Sequence, residues 1–225
     1  DGLKEMAKCM LALVSKKGSI IIEVQYLMNT LKDLTFDNIY HEHYNYWSLT
    51  SLINFFRQFN ATIYRAERID THGGSIRIYI KKGKNIKIDK NVIDLINEED
   101  NFGIKDFKTY QKFSNKVYKI RENVRKNIDK LKSKNKKIIG FGAPAKATTF
   151  LNFFGIGDKI KHIIEDNKLK HNKYIPGTNL KILSKNSVKN KENIMLVLAW
   201  NFYEDIKKSN KKLSNNFISI KKLQN

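Results

Sequence analysis

The stretch FDNIYHEHYNYWSLT, residues 36–50, sets His41 and His43 around Glu42 and surrounds all three with Tyr40, Tyr44, Tyr46 and Trp47. Histidine titrates near neutral pH and a neighbouring carboxylate can orient its ring, so these residue types suit proton transfer in a partly desolvated pocket. A metal is a second reading. On an extended chain His41 and His43 project to one side, and His72 could add a third imidazole. No carboxylate stands at a diagnostic distance, however, and the helical zinc-protease pattern H-E-x-x-H fails because its second histidine would be Asn45. The third reading is an aromatic-rich loop whose histidines do no chemistry. Residue types and spacing leave all three open.

A second constellation is Gly140-Phe-Gly-Ala-Pro-Ala145, a G-x-G-x-x-A turn followed by Lys146. Glycines there allow a tight turn and close backbone approach, and the helix that follows offers free N–H groups to an anion. Glu165 and Asp166 stand where a dinucleotide fold carries its ribose-binding acid, so an NAD(P)-binding oxidoreductase module using Gly140, Gly142 and Ala145 is one outcome. A glycine turn made only for packing is another. Lys146 could neutralise a phosphate or point into solvent.

These residues need elements to hold them. Leu3, Met6, Ala7, Met10 and Leu11 recur at helical spacing, Lys16-Lys17-Gly18 stops that helix, and residues 19–24 form a β-branched strand. A loop over residues 26–46 follows, and Ser48 is the natural N-cap of the next helix. Residues 61–69 and 75–80 alternate as strands. The connection through residues 70–74 is too short for a parallel crossover, so the two must pair antiparallel. Apolar steps of three and four from Val92 to Leu131 predict one long helix. Strands then fall at 136–142, 160–165, 194–200 and 217–220, with helices from Ala145 to Phe154 and from Phe202 to Lys208. The fold class is α/β: the end of one sheet with a reversed last strand, then a second α/β unit.

Composition excludes several classes. No apolar run reaches the ~18–20 residues of a membrane span. One cysteine, Cys9, rules out an intrachain disulfide framework and suits a reducing, cytoplasmic setting. The net charge of +21 comes from 43 Lys and Arg against 22 Asp and Glu, and arginine is confined to positions 57, 65, 68, 77, 121 and 125. Dispersed lysine lacks the arginine forks of base or phosphate recognition, so no nucleic-acid partner is expected.

Several motifs go beyond periodicity. Phe36-Asp-Asn-Ile-Tyr-His-Glu-His43, Tyr46-Trp-Ser-Leu-Thr50 and His72-Gly-Gly-Ser-Ile-Arg-Ile-Tyr79 are joined by Gly140-Phe-Gly-Ala-Pro-Ala-Lys146. Glu165-Asp-Asn167, Tyr174-Ile-Pro-Gly-Thr178 and Ala199-Trp-Asn-Phe202 follow. In this order, from about residue 1 to residue 205, they resemble the S-adenosylmethionine-dependent C-methyltransferases of nucleotide-linked (dTDP-4-keto) deoxysugars. The resemblance implies the end of a Rossmann-like methyltransferase domain over residues 1–85, a helical connector over 86–135 and a second Rossmann-like, nucleotide-sugar-binding domain over 136–225. It implies His43 as general base, with Glu42 as partner carboxylate and Tyr40 as active-site tyrosine, and leaves His41 in the variable position. His72, Gly73, Gly74, Lys146 and Tyr174 are the substrate-binding expectations. The cofactor loop, the acid for its ribose and a structural zinc site are expected before Asp1.

Overall fold

The computed structural model describes residues 2–71, 73–133 and 136–224, so His72 lies outside the described residues. Contacts divide the chain into two compact units. The first holds Asp1–Thr35 and Tyr44–Phe113; the second holds Phe36–His43 and Ser114–Asn225.

In the first unit α1 (Gly2–Leu13) precedes β1 (Ile20–Gln25), and β2 (Ala61–Ile69) and β3 (Ser75–Lys82) follow α3 (Leu49–Arg57). The sheet order is β1-β3-β2, and β3 runs antiparallel to both neighbours. Its alternation explains the central place: Ile76, Ile78 and Ile80 are fully buried, while Arg77, on the other face, pairs with Glu23 of β1 at 2.9 Å. Ser48 caps α3 in a full capping box, its side chain taking the Ser51 N–H at 3.0 Å and Ser51 Oγ taking the Ser48 N–H. Ser48→Ala should lower stability by about 1 kcal/mol, measured by urea denaturation of this chain.

Two expectations are corrected here. The 26–46 stretch is not all loop, because α2 (Leu27–Lys32) forms within it and buries Met28 and Leu31. The helix expected from Val92 to Leu131 is two, α4 (Lys90–Phe102) and α5 (Phe107–Lys132). Gly103 ends α4 at φ 75°, a left-handed conformation that glycine takes without a Cβ penalty. The periodicity continues across the break because Ile104 also turns inward and is buried.

The second unit carries a five-stranded sheet of β4 (Ile138–Phe141), β5 (Ile163–Ile164), β6 (Ile182–Leu183), β7 (Ile194–Val197) and β8 (Asn216–Ser219). All pairs are parallel and the order is β6-β5-β4-β7-β8. The chain runs outward from β4 to β6, then returns to place β7 on the other side of β4. Strand order therefore reverses between β4 and β7, and in such sheets ligands bind in the crevice outside the strand ends at that point. Parallel strands covered on both faces read as continuous apolar runs, and every residue of β4 and β7 is buried. α6 (Ala145–Phe154) follows β4, and α7 (Tyr203–Ser209) follows β7. Two details differ from the sequence expectation: β5 is much shorter than 160–165, and β6 had no counterpart.

Candidate active site

The 36–43 segment belongs to the second unit although the chain on both sides belongs to the first. Apolar packing holds it there. Phe36 opens a 3-10 turn, Phe36–Asn38, and its ring lies 5.2–5.7 Å from those of Phe150, Phe153 and Phe154 on α6. Asp37, next in the turn, is completely buried, and its Oδ2 accepts the Trp200 Nε1–H at 2.7 Å. Trp200 stands in a 3-10 turn just beyond β7, and α6 begins just beyond β4. The segment is thus fastened at the carboxyl ends of the two strands where the order reverses.

The motif residues come next. The His43 N–H donates to the Tyr40 carbonyl at 2.9 Å, and the two rings lie 4.4 Å apart. His43 Nδ1 is 2.7 Å from the Asn38 carbonyl oxygen. A carbonyl can only accept, so Nδ1 carries the proton of this bond. In the neutral ring the lone pair is then on Nε2. That is the arrangement of a general base: one nitrogen oriented by the backbone, the other able to take a proton.

Tyr40 completes the group. Its burial first, then the charges of Glu42 and Asp37, raise its phenol above the ordinary tyrosine value, so at neutral pH it is a hydrogen-bond donor. Glu42 is exposed and influences Tyr40 through its charge, while the bond that orients the His43 ring comes from Asn38. His41 is exposed as well. Lys146, in the first turn of α6, places Nζ 5.2 Å from the Trp200 ring centroid. Burial draws it below the usual lysine range, and the Asp37 charge opposes that shift.

Other residues singled out in the sequence lie elsewhere. Gly73 and Gly74 belong to the first unit, at φ 88° and 105° in the turn between β2 and β3. The side of Gly74 where a Cβ would point is filled by Asn29, 2.6 Å from that position, so the turn packs against protein there. Tyr174 is 57% exposed on the loop before β6. The same loop is bonded through the Pro176 carbonyl to Asn152 at 2.9 Å, and Asn152 is ~9 Å further along α6 than Lys146 at ~1.5 Å per residue.

The glycine turn has a structural explanation. A Cβ on Gly140 would lie 2.2 Å from Ile163 Cδ1 of the neighbouring strand, and Gly142, at φ 89°, has Ala199 3.0 Å from the same position. Glu165 Oε2 accepts the Ala143 N–H at 2.8 Å, and Oε1 accepts the N–H groups of Asp166 and Asn167. The acid that could have held a ribose instead ties β5 to the turn, and its own carboxylate takes the N–H that an anion would seek.

Sequence reasoning did not single out Asp37, Asn38 and Trp200. All three lie inside motifs that were legible. The available signal was an aspartate directly after Phe36, with one of only two tryptophans in the chain at the other partner position.

Fold and site together give an α/β protein that sets an imidazole with its Nδ1–H bonded to a backbone carbonyl beside a neutral phenol at the carboxyl ends of a parallel sheet. Residues 70–219 match the family model described as C-methyltransferase C-terminal domain. Over 198 residues the chain is 30% identical to C-methyltransferase NovU of Streptomyces niveus, an alignment covering 87% of this chain and 47% of that protein. The chain belongs to the C-methyltransferase family, and it spans about half the length of the curated relative it matches.

Proposed function

We propose that this chain is the part of a sugar C-methyltransferase that removes a proton from carbon and holds a nucleotide-linked keto-deoxysugar. The observation that carries the reading is the Nδ1–H bond from His43 to Asn38, which leaves Nε2 basic and oriented. A ketone acidifies the neighbouring C–H, and C-3 beside a 4-keto group is the assigned position. Nε2 takes that proton and the electrons move onto the ketone oxygen as an enolate. Tyr40, kept protonated by its surroundings, donates to the developing oxyanion. The charge of Glu42 favours the imidazolium that forms. Lys146 meets an anionic group of the nucleotide, with Tyr174 as a more distant contact; His72, Gly73 and Gly74 are assigned to the sugar end.

S-adenosylmethionine is the methyl donor this reading requires. Among the described residues no cradle fits it: the Gly73–Gly74 turn is packed against Asn29, and β1 leads directly into Tyr26 and α2. The donor's binding, and the structural zinc of the family, are assigned to chain upstream. Residues 1–85 are read as the end of a Rossmann-like methyltransferase domain. In support, β1 is an edge strand of its sheet, with Ile21 on it and Leu13 before it exposed. Residues 136–225 are read as a second Rossmann-like domain, supported by the strand order. Among the described residues no helix is long and apolar enough to cross a membrane.

The test separates proton removal from methyl transfer. Incubated in D2O with a dTDP-4-keto-deoxysugar and no methyl donor, the enzyme containing this chain should wash deuterium into the carbon beside the ketone, seen by NMR. Methylation at carbon without any such exchange, under conditions where product release is fast, would argue against the enolate route.

A further inference from the structure

Asp37 is a buried charge to which the proton step gives no work. Oδ2 has the Trp200 indole as its donor at 2.7 Å, and Oδ1 is buried with no hydrogen-bond partner among the described residues. A carboxylate taken out of water with one neutral donor is costly unless a cation lies close. Lys146 is the cation on which the Asp37 charge acts, and its Nζ lies 5.2 Å from the centre of the Trp200 ring whose N–H Asp37 holds. We infer that Asp37 is a positioning residue which fastens the Phe36–His43 segment to the end of β7 through Trp200 and, through the same indole, sets Lys146 toward an anionic substrate group. The inference rests on the reading of Lys146 as a nucleotide contact and adds what makes that lysine able to serve.

The groups facing Lys146 set the sign of its pH dependence. Asp37, whose charge acts on it, comes from the docked segment, and Lys221, from the turn after β8, lies 4.5 Å from the centre of the same Trp200 ring. Burial lowers Lys146 and Asp37 raises it back. Binding that needs the ammonium therefore weakens as pH rises, and removing the Asp37 charge brings that loss to lower pH.

The probe is thymidine diphosphate, titrated calorimetrically into this chain between about pH 7.5 and 9.5, above the second phosphate ionisation near ~6. Asp37→Asn keeps an oxygen for the indole and removes the charge. Its alkaline loss of binding should set in at lower pH than in wild type, so that it binds more weakly than wild type at the alkaline end. Lys146→Arg, which stays charged, should remove the alkaline loss in both the wild-type and the Asp37→Asn background. In a Trp47→Phe chain the emission of Trp200 reports whether the Asp37→Asn segment stays docked. An Asp37→Asn profile superimposed on wild type overturns the inference. So does a Lys146→Arg chain that keeps the wild-type alkaline loss, and that measurement decides even where Asp37→Asn does not fold. A wild-type chain that binds no thymidine diphosphate overturns the assignment of Lys146 as a nucleotide contact, and this inference with it.

Discussion

Replacing His43 by Asn is expected to slow methyl transfer by roughly 10²–10⁴-fold, the range a positioned general base contributes. The argument runs through one bond. Asn38 holds Nδ1–H at 2.7 Å, so Nε2 is the atom that can accept a proton, and Asn at this position has no basic nitrogen to replace it. On the proposed assignment of Lys146 the sugar nucleotide should still bind, because that residue is untouched. Deuterium wash-in and methylation should fall together, measured by NMR and product chromatography on the enzyme containing this chain. His41→Asn is the control: the residue is exposed, and its loss should leave the rate near wild type. Equal losses at both positions would revive a metal reading. An active His43→Asn enzyme would remove His43 as base.

The largest expected effect on stability is at Glu99. This carboxylate, on α4, is completely buried and accepts four hydrogen bonds: from Tyr26 Oη at 2.8 Å, from the N–H groups of Leu49 at 2.5 Å and Thr50 at 2.9 Å, and from Thr50 Oγ1 at 2.6 Å. Leu49 and Thr50 open α3, where backbone N–H groups have no helical partner and the helix dipole favours an anion. Tyr26 is pushed up first by burial and then by the Glu99 charge, so it remains a donor at any physiological pH. Glu99→Gln turns an amide against donors that need acceptors. It should cost about 3 kcal/mol and lower Tm by roughly 5–10 °C, read by thermal denaturation of this chain. A Tm within a degree of wild type would mean that α3 is held by its capping box alone.

The elements that were legible in the sequence are those in which local pattern and tertiary role agree. β3 alternates because one face is core and the other carries Arg77 and Tyr79; Ser48 caps α3 as its type and place suggested; the glycine turn lies between β4 and α6. What was not legible depended on partners far away in the chain. β5 and β6 are each two residues long, too short for any period to register, and exist because β4 offers β5 an edge and β5 in turn offers one to β6. Gly103 breaks a helix whose apolar spacing runs straight through it. In the site, the residue types of the Tyr40–His43 motif allowed proton chemistry, a metal or a plain loop, and only the family resemblance singled out His43 as base. No spacing rule could report that the ring is oriented by the Asn38 backbone, or that Asp37 is buried against a tryptophan, since a carbonyl is the same in every residue and a buried aspartate leaves no periodic mark.

The placement of residues 36–43 has a consequence for how the protein is made. Asp37 and Trp200 are separated by 163 positions, so at ribosomal rates of ~5–20 residues per second the carboxylate waits roughly 10–30 s for its indole. Phe36 meets its α6 partners sooner, since Phe150, Phe153 and Phe154 precede Trp200 in the chain. A cut after Phe113 would not free two self-sufficient halves, for the leading piece would carry away a segment that belongs to the trailing one. The Phe36–His43 segment therefore closes its bond to Trp200 only after β7 has been made.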